Sequence, residues 1–235
     1  MMTMRRPRLV LFDCDGTLVD SQHVICAAMA DAFGACGLEP PPREAVLSIV
    51  GLSLTEAMGR LAASVEPAAI ERLVACYRTA FQQACASPQG AQPLFEGALE
   101  AVTALASRDD VVLGIVTGKS RRGLERVLDA TGLASYFHVR QTADDAPSKP
   151  HPGMVLQAMA ATGIAAQDTL VIGDTVFDIE MAAAAEAAPI GVAWGYHPPG
   201  DLHAAGARYV LNRFDELHDA IEALSASDSR RAQAP

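Results

Sequence analysis

The sequence predicts an α/β fold, a doubly wound parallel sheet with an all-helical segment inserted after the first strand. Three observations carry this. From residue 93 onward, short apolar runs alternate with helix-length stretches, the pattern of a parallel sheet covered on both faces. Between residues 20 and 88 nothing alternates with period two, and apolar residues recur at helical spacing instead. The residues able to do chemistry fall at the C-terminal ends of the strand-like runs. Open α/β sheets bind ligands at that edge, beside a topological switch point.

Residues 1–7 are expected to be frayed. The first strand is the apolar run Leu9-Val10-Leu11-Phe12. It delivers two acids, Asp13 and Asp15, into a turn made by Gly16 and Thr17. Side chains two apart on a strand share a face, so the carboxylates start on the same side. Two adjacent negative charges repel and resist desolvation, which makes this a poor core. A hard divalent cation such as Mg²⁺ resolves the conflict, because it takes oxygen ligands and often only one or two carboxylates.

Ser21 is placed to cap a helix over 21–36, with Val24, Ile25, Ala28, Met29, Ala32 and Phe33 on one stripe and Gly37 to end it. Pro40-Pro41-Pro42 forces a stiff connection. Further helices are expected at 43–50, 54–64 and 67–85. Then come a helix at 96–107, a strand at 111–116, a helix at 120–130 closed by Gly132, and a strand at 137–141. A helix at 152–162 closed by Gly163, a strand at 169–172 and an Ala-rich helix at 178–188 follow. Strands at 190–193 and 208–211 and a helix at 214–224 complete the pattern. These divide the chain into a core of 1–19 and 89–225, a helical insertion of 20–88, and a polar tail of 226–235 expected to be disordered.

Half of the 235 residues are hydrophobic and a fifth are charged, enough for a sizeable core. The net charge of -10 gives no pull toward nucleic acid or anionic membrane, so neither is an expected partner. An anionic substrate then needs a local cation or lysine. The five cysteines have no metal-binding spacing, which points to reduced thiols and a cytoplasmic location. Cys14 lies between two acids that would raise its thiol pKa, so its side chain is read as packing. No apolar run approaches the roughly 18 residues of a membrane span, and no signal peptide is expected. The oligomeric state is open between monomer and homodimer.

Three more segments sit at strand ends. Thr117-Gly118 offers a hydroxyl and backbone N–H groups ahead of a helix, an oxyanion cradle or an ordinary helix cap. Lys149, in SKPHPG, is presented by Pro150 and Pro152 and is suited to hold a phosphoryl group and restrain Asp13. His151 is read as local packing. Asp174 comes directly off a strand and is expected to meet the first pair of acids. Asp178 stands one turn on, at capping-box spacing from Thr175, and is placed behind the ligands, with direct or water-mediated contact to the cation both open. Trp194 and His197 are read as structural; Arg121 and Arg122 start a helix, a poor place for cations, and are read either as meeting substrate or as a solvated face.

In order, Asp13-Cys14-Asp15-Gly16-Thr17, Thr117-Gly118, Lys149-Pro150-x-Pro152 and Gly173-Asp174-x-x-x-Asp178 resemble the four motifs of haloacid-dehalogenase-like phosphatases. The resemblance implies a Rossmann-like core and a small helical cap made by the insertion. It implies Asp13 as nucleophile, Asp15 as general acid and then base, and Thr117 and Lys149 as catalytic phosphoryl holders. Cys14, Gly16 and Gly118 join these two in the phosphate-binding set. Mg²⁺ is implied as cofactor, held by Asp13, the backbone of Asp15 and Asp174. Within the insertion, 51–53 is the candidate to touch substrate. The motif wording looks nearest to phosphoglycolate phosphatases, acting on a small phosphorylated metabolite. It also fits pyrophosphatases and sugar-phosphate phosphatases. The alternatives are a phosphomutase of the β-phosphoglucomutase type and, from another class, a phospho-accepting signalling domain. A dehalogenase has no use for Asp15, and a dead scaffold does not suit an intact motif set.

Overall fold

The computed structural model describes residues 6–88 and 90–231, the side chains of 225–231 excepted. Six parallel strands form one sheet: β1 (Arg8–Phe12), β2 (Val111–Val116), β3 (Val139–Gln141), β4 (Thr169–Gly173), β5 (Ala188–Val192) and β6 (Tyr209–Leu211). Their order is β3-β2-β1-β4-β5-β6, so the winding direction reverses between β1 and β4. At that reversal the loops after the two strands diverge and open a crevice. Phe12 lies level with Ile115 of β2 and Ile172 of β4. Asp13, Thr117 and Asp174 therefore leave the sheet side by side.

Strand β1 is apolar throughout because both its faces are covered. Val10 and Phe12 belong to one core layer, Leu9 and Leu11 to the other, and all four are fully buried. Emptying one such position, as in Phe12→Ala, costs roughly 3–5 kcal/mol. The layers are built by helices α5 (Ala98–Ala106), α6 (Arg121–Thr131), α7 (Gly153–Thr162), α8 (Val176–Ala184), α9 (Pro199–Ala204) and α10 (Leu217–Arg231).

The inserted segment is helical as expected, with α1 (Gln22–Ala35), α2 (Arg43–Leu47), α3 (Leu54–Leu61) and α4 (Pro67–Ala86). These helices have their own apolar cluster, which takes in Phe177 and Tyr196 from the sheet side. The two connections to the core run together: Asp20 N–H donates to the Pro93 carbonyl at 2.8 Å, and Val19 bridges to Leu94.

Several boundaries move. The Ala-rich helix runs Val176–Ala184 rather than to 188, because Ala188 pairs with Leu170 and β5 begins there. Glu186, with φ of 58°, turns the chain between them without a glycine. Helix α9 was not expected; two prolines start it, and proline suits a first helical turn. Helix α10 continues past 224 into the tail expected to be disordered, since no Gly or Pro stops it before Pro235. The remainder of that tail, 232–235, and residues 1–5 of the expected frayed start lie outside the described residues. No described helix is long and apolar enough to cross a membrane.

Candidate active site

Lys149 is fully buried, and its ammonium lies 2.6 Å from Asp13 Oδ1 and 2.6 Å from Asp178 Oδ1. Residues 136 and 29 positions away thus converge on one cation. Asp178 is held at both ends. Its Oδ2 accepts from Thr175 N–H at 3.1 Å and from the Thr175 hydroxyl at 2.7 Å, which realises the capping box at the start of α8. Asp174 accepts from the Thr17 hydroxyl at 2.8 Å and from Tyr196 N–H at 2.9 Å.

Asp13, Asp174 and Asp178 each bring a carboxylate oxygen to within 4.8 Å of the others. Three carboxylates face one ammonium, a formal excess of two negative charges in a buried place. Burial pushes Asp13 up to about 7, against the pull of Lys149 and with Asp178 adding to the rise. Asp174 is driven well above the usual carboxylate range by burial and by the charges of Asp178 and Asp13. Burial alone would lower Lys149, but Asp13 and Asp178 outweigh it and hold the ammonium firmly protonated. Asp13 Oδ2 is buried with no hydrogen-bond partner among the described residues. An unpartnered carboxylate oxygen inside a cluster two charges too negative fits a hard divalent cation.

Asp15 leaves this cluster. Its Oδ1 accepts from the Ser21 hydroxyl at 2.5 Å and lies 2.9 Å from Lys119 Nζ. Ser21, expected as a helix cap, makes no side-chain cap bond; Asp15 and the Tyr196 hydroxyl occupy its oxygen instead. Lys119 was not singled out by sequence. Its signal was there, two residues past Thr117 at the same strand end.

Gly16, expected among the phosphate-binding residues, gives its N–H to the Val19 carbonyl at 2.9 Å, so the turn uses that donor internally. What Gly16 supplies is room: at φ of 85°, a Cβ there would sit inside the Asp174 carboxylate. Cys14 packs in the core. Burial, then the charge of Asp15, push its thiol well above the ordinary value. Thr117 is buried and its Oγ1 accepts from Lys119 N–H at 3.2 Å. Gly118 lies against the carbonyls of Gly51 and Leu52, and Ser53 N–H donates to the Ser148 hydroxyl at 2.8 Å. The stretch 51–53 therefore closes directly over the strand ends.

Asp13, Asp15, Thr117, Gly118 and Lys119 line one side of a cavity of about 550 Å³, and helices α1 and α4 with the 49–57 stretch line the other. Trp194 and His197 are structural as expected. The Trp194 indole packs on Phe214 at 4.5 Å and donates to the Thr17 carbonyl at 3.0 Å. His197 Nδ1 accepts from Val176 N–H at the start of α8. His151 closes a local turn onto Gly153 N–H. Arg121 is paired with Asp145, while Arg122 faces the cavity.

Known proteins align with this geometry. A family model described as haloacid dehalogenase-like hydrolase matches residues 10–192. The protein named Probable phosphatase IndB, of Dickeya dadantii, is 37% identical over 218 residues, covering 92% of this chain and 94% of its own length. Phosphoglycolate phosphatase 1 of Pseudomonas aeruginosa is 32% identical over 216 residues, covering 91% of this chain and 79% of its own. The crystal structure of a hydrolase from Pseudomonas syringae superposes with a TM-score of 0.81 at 25% identity, covering 93% of this chain and 98% of that one. A family match over most of the chain, laid on a doubly wound sheet whose switch point gathers Asp13, Lys149, Asp174 and Asp178, shows that this chain belongs to the haloacid dehalogenase-like hydrolases.

Proposed function

We propose that this haloacid-dehalogenase-like phosphatase hydrolyses a small phosphomonoester, phosphoglycolate or a near relative, through an aspartyl-phosphate on Asp13 and with Mg²⁺. The observation that carries the reading is the buried meeting of Asp13, Asp174, Asp178 and Lys149 beside Thr117. The names of the relatives from Dickeya dadantii and Pseudomonas aeruginosa support the reaction class.

Asp13 attacks phosphorus in line, and the bond to the leaving oxygen breaks as the aspartyl-phosphate forms. Asp15, protonated for this step, gives its proton to the leaving alkoxide and then takes one from the water that attacks the same phosphorus. That second attack breaks the bond to Asp13 and returns the carboxylate. Thr117, the Gly118 N–H and Lys149 hold the equatorial oxygens. Lys149 also fixes Asp13 Oδ1, so Oδ2 is the oxygen without a protein partner. Asp13, the Asp15 backbone carbonyl and Asp174 would hold Mg²⁺, with Asp178 positioning Lys149 behind them. When bound, the cation neutralises charge on the phosphoryl oxygens and on the acidic cluster.

Residues 20–88 act as a cap over a core of 1–19 and 89–225, excluding bulk water and reading the leaving group. We place the enzyme in the cytoplasm, on the strength of its five free thiols. Phosphate release from a panel of phosphomonoesters, with and without Mg²⁺, tests the reading. Isomerised sugar phosphate without free phosphate would turn it toward a phosphomutase. A phosphoryl group held for minutes on Asp13 would turn it toward a signalling domain.

A further inference from the structure

Four cations line the cavity of this acidic chain, and only one is matched. Lys119 pairs with Asp15. Arg122 and Arg126 of α6 and Arg78 of α4 line the same cavity with no hydrogen bond or ion pair among the described residues. Their positions are costly for mere solubility. Arg122 stands in the first turn of α6, where the helix dipole opposes a cation. Arg122 and Arg126 are four apart, so two like charges share one helix face. Glu125 and Asp129 stand three residues beyond Arg122 and Arg126, yet neither forms an ion pair with them. Besides Asp13 and Asp15, the acid lining the cavity is Asp144, and it accepts from Arg121 N–H. Side chains on a helix tilt toward its N-terminus, here toward the Thr117 strand end. Arg78 approaches from the inserted helices, opposite α6. The cavity of about 550 Å³ leaves room for a leaving group of several carbons.

We propose that the leaving group of the substrate carries a second anionic group, a carboxylate or a phosphate, seated between Arg122 and Arg126 of the core and Arg78 of the insertion. Guanidinium groups suit either oxyanion through paired N–H donors. The anion would also tie the two halves of the cavity together. The inference rests on the phosphatase reading of the same cavity and adds which side chains choose the substrate.

The test compares kcat/KM for 3-phosphoglycerate, for glycerol 1,3-bisphosphate and for glycerol 3-phosphate, whose terminal hydroxymethyl is neutral. The wild type should favour at least one doubly anionic compound over the neutral one by about tenfold or more, and the preferred one names the anion. In Arg122→Gln/Arg126→Gln, and separately in Arg78→Gln, that ratio should fall toward one, with partial recovery in Arg122→Lys/Arg126→Lys. Arg72→Gln, on α4 but away from the cavity lining, should keep it. A wild-type ratio near one, or a ratio unmoved by the double substitution, overturns the proposal. Should neither these three nor phosphoglycolate be hydrolysed with Mg²⁺, the phosphatase reading falls. The ratio of their dissociation constants by calorimetry then decides the anion subsite on the same criterion.

Discussion

Lys119 and Asp15 form an ion pair of 2.9 Å at the floor of the cavity, between the end of β2 and the turn after β1. The Lys119 ammonium also lies 5.2 Å from the centre of the Phe81 ring on α4. The residue proposed to move protons is thus steadied by a cation that touches the inserted helices. Lys119→Gln should lower kcat about tenfold on an alkyl phosphate. The loss should be smaller on p-nitrophenyl phosphate, whose leaving group needs no proton. Steady-state rates on both substrates check this; equal losses would mean that Lys119 serves something other than Asp15.

Asp13→Asn should reduce phosphate release by at least about a thousandfold, since removal of a nucleophile is seldom rescued by the rest of a site. The variant should remain folded, because the amide keeps the size of the carboxyl group. Circular dichroism together with a phosphate-release assay separates the two effects. Full activity in this variant would end the aspartyl-phosphate mechanism.

Removing Lys149 leaves Asp13 and Asp178 buried without their counter-charge. Lys149→Ala should therefore cost roughly 3–5 kcal/mol in urea unfolding, beyond any loss of turnover. Saturating Mg²⁺ should return part of that stability. A variant as stable as the wild type would show that the acids are not charged together in the folded protein.

Asp13 titrates near 7 and Asp174 well above its usual range, both raised chiefly by burial. A raised carboxyl binds protons more tightly in the folded chain than in the unfolded one. Its contribution is present below about pH 4 and is lost as pH rises toward 7. In chelator, the melting temperature should fall on the order of 5 °C between pH 5.5 and pH 8. Mg²⁺ should raise it more at pH 8 than at pH 5.5. A flat profile in chelator would contradict the charge excess.

Gly16→Ala should abolish Mg²⁺ binding by calorimetry, because the new methyl group would occupy the place of the Asp174 carboxylate. The positive φ adds about 1–2 kcal/mol of strain. Undiminished Mg²⁺ affinity would remove Asp174 from the cation site.

What the sequence disclosed and what it hid follow from one distinction. Asp13, Thr117 and Asp174 were legible because each stands where an apolar run stops, and the sheet then sets them side by side; Lys149 was legible through Pro150 and Pro152 beside it. Asp178 was legible through its cap spacing to Thr175. Ser21 on Asp15 is set by the shape of the turn that joins β1 to α1, and Tyr196 N–H on Asp174 by how the loop after β5 folds back, neither of which a local pattern records. Gly16 entered the phosphate-binding set through the motif resemblance, and the need for its missing side chain beside Asp174 is visible only in the fold. The end of the Ala-rich helix was misplaced because strand pairing at Ala188 overrides local helix propensity.

The chain has a single tryptophan, and its indole N–H holds the carbonyl of Thr17, whose hydroxyl in turn steadies Asp174. Two residues on, Tyr196 grips the same carboxylate from the other side. The molecule therefore carries its own fluorophore wired to the acidic turn. Occupancy of that turn should be readable from native emission, without a label and without turnover.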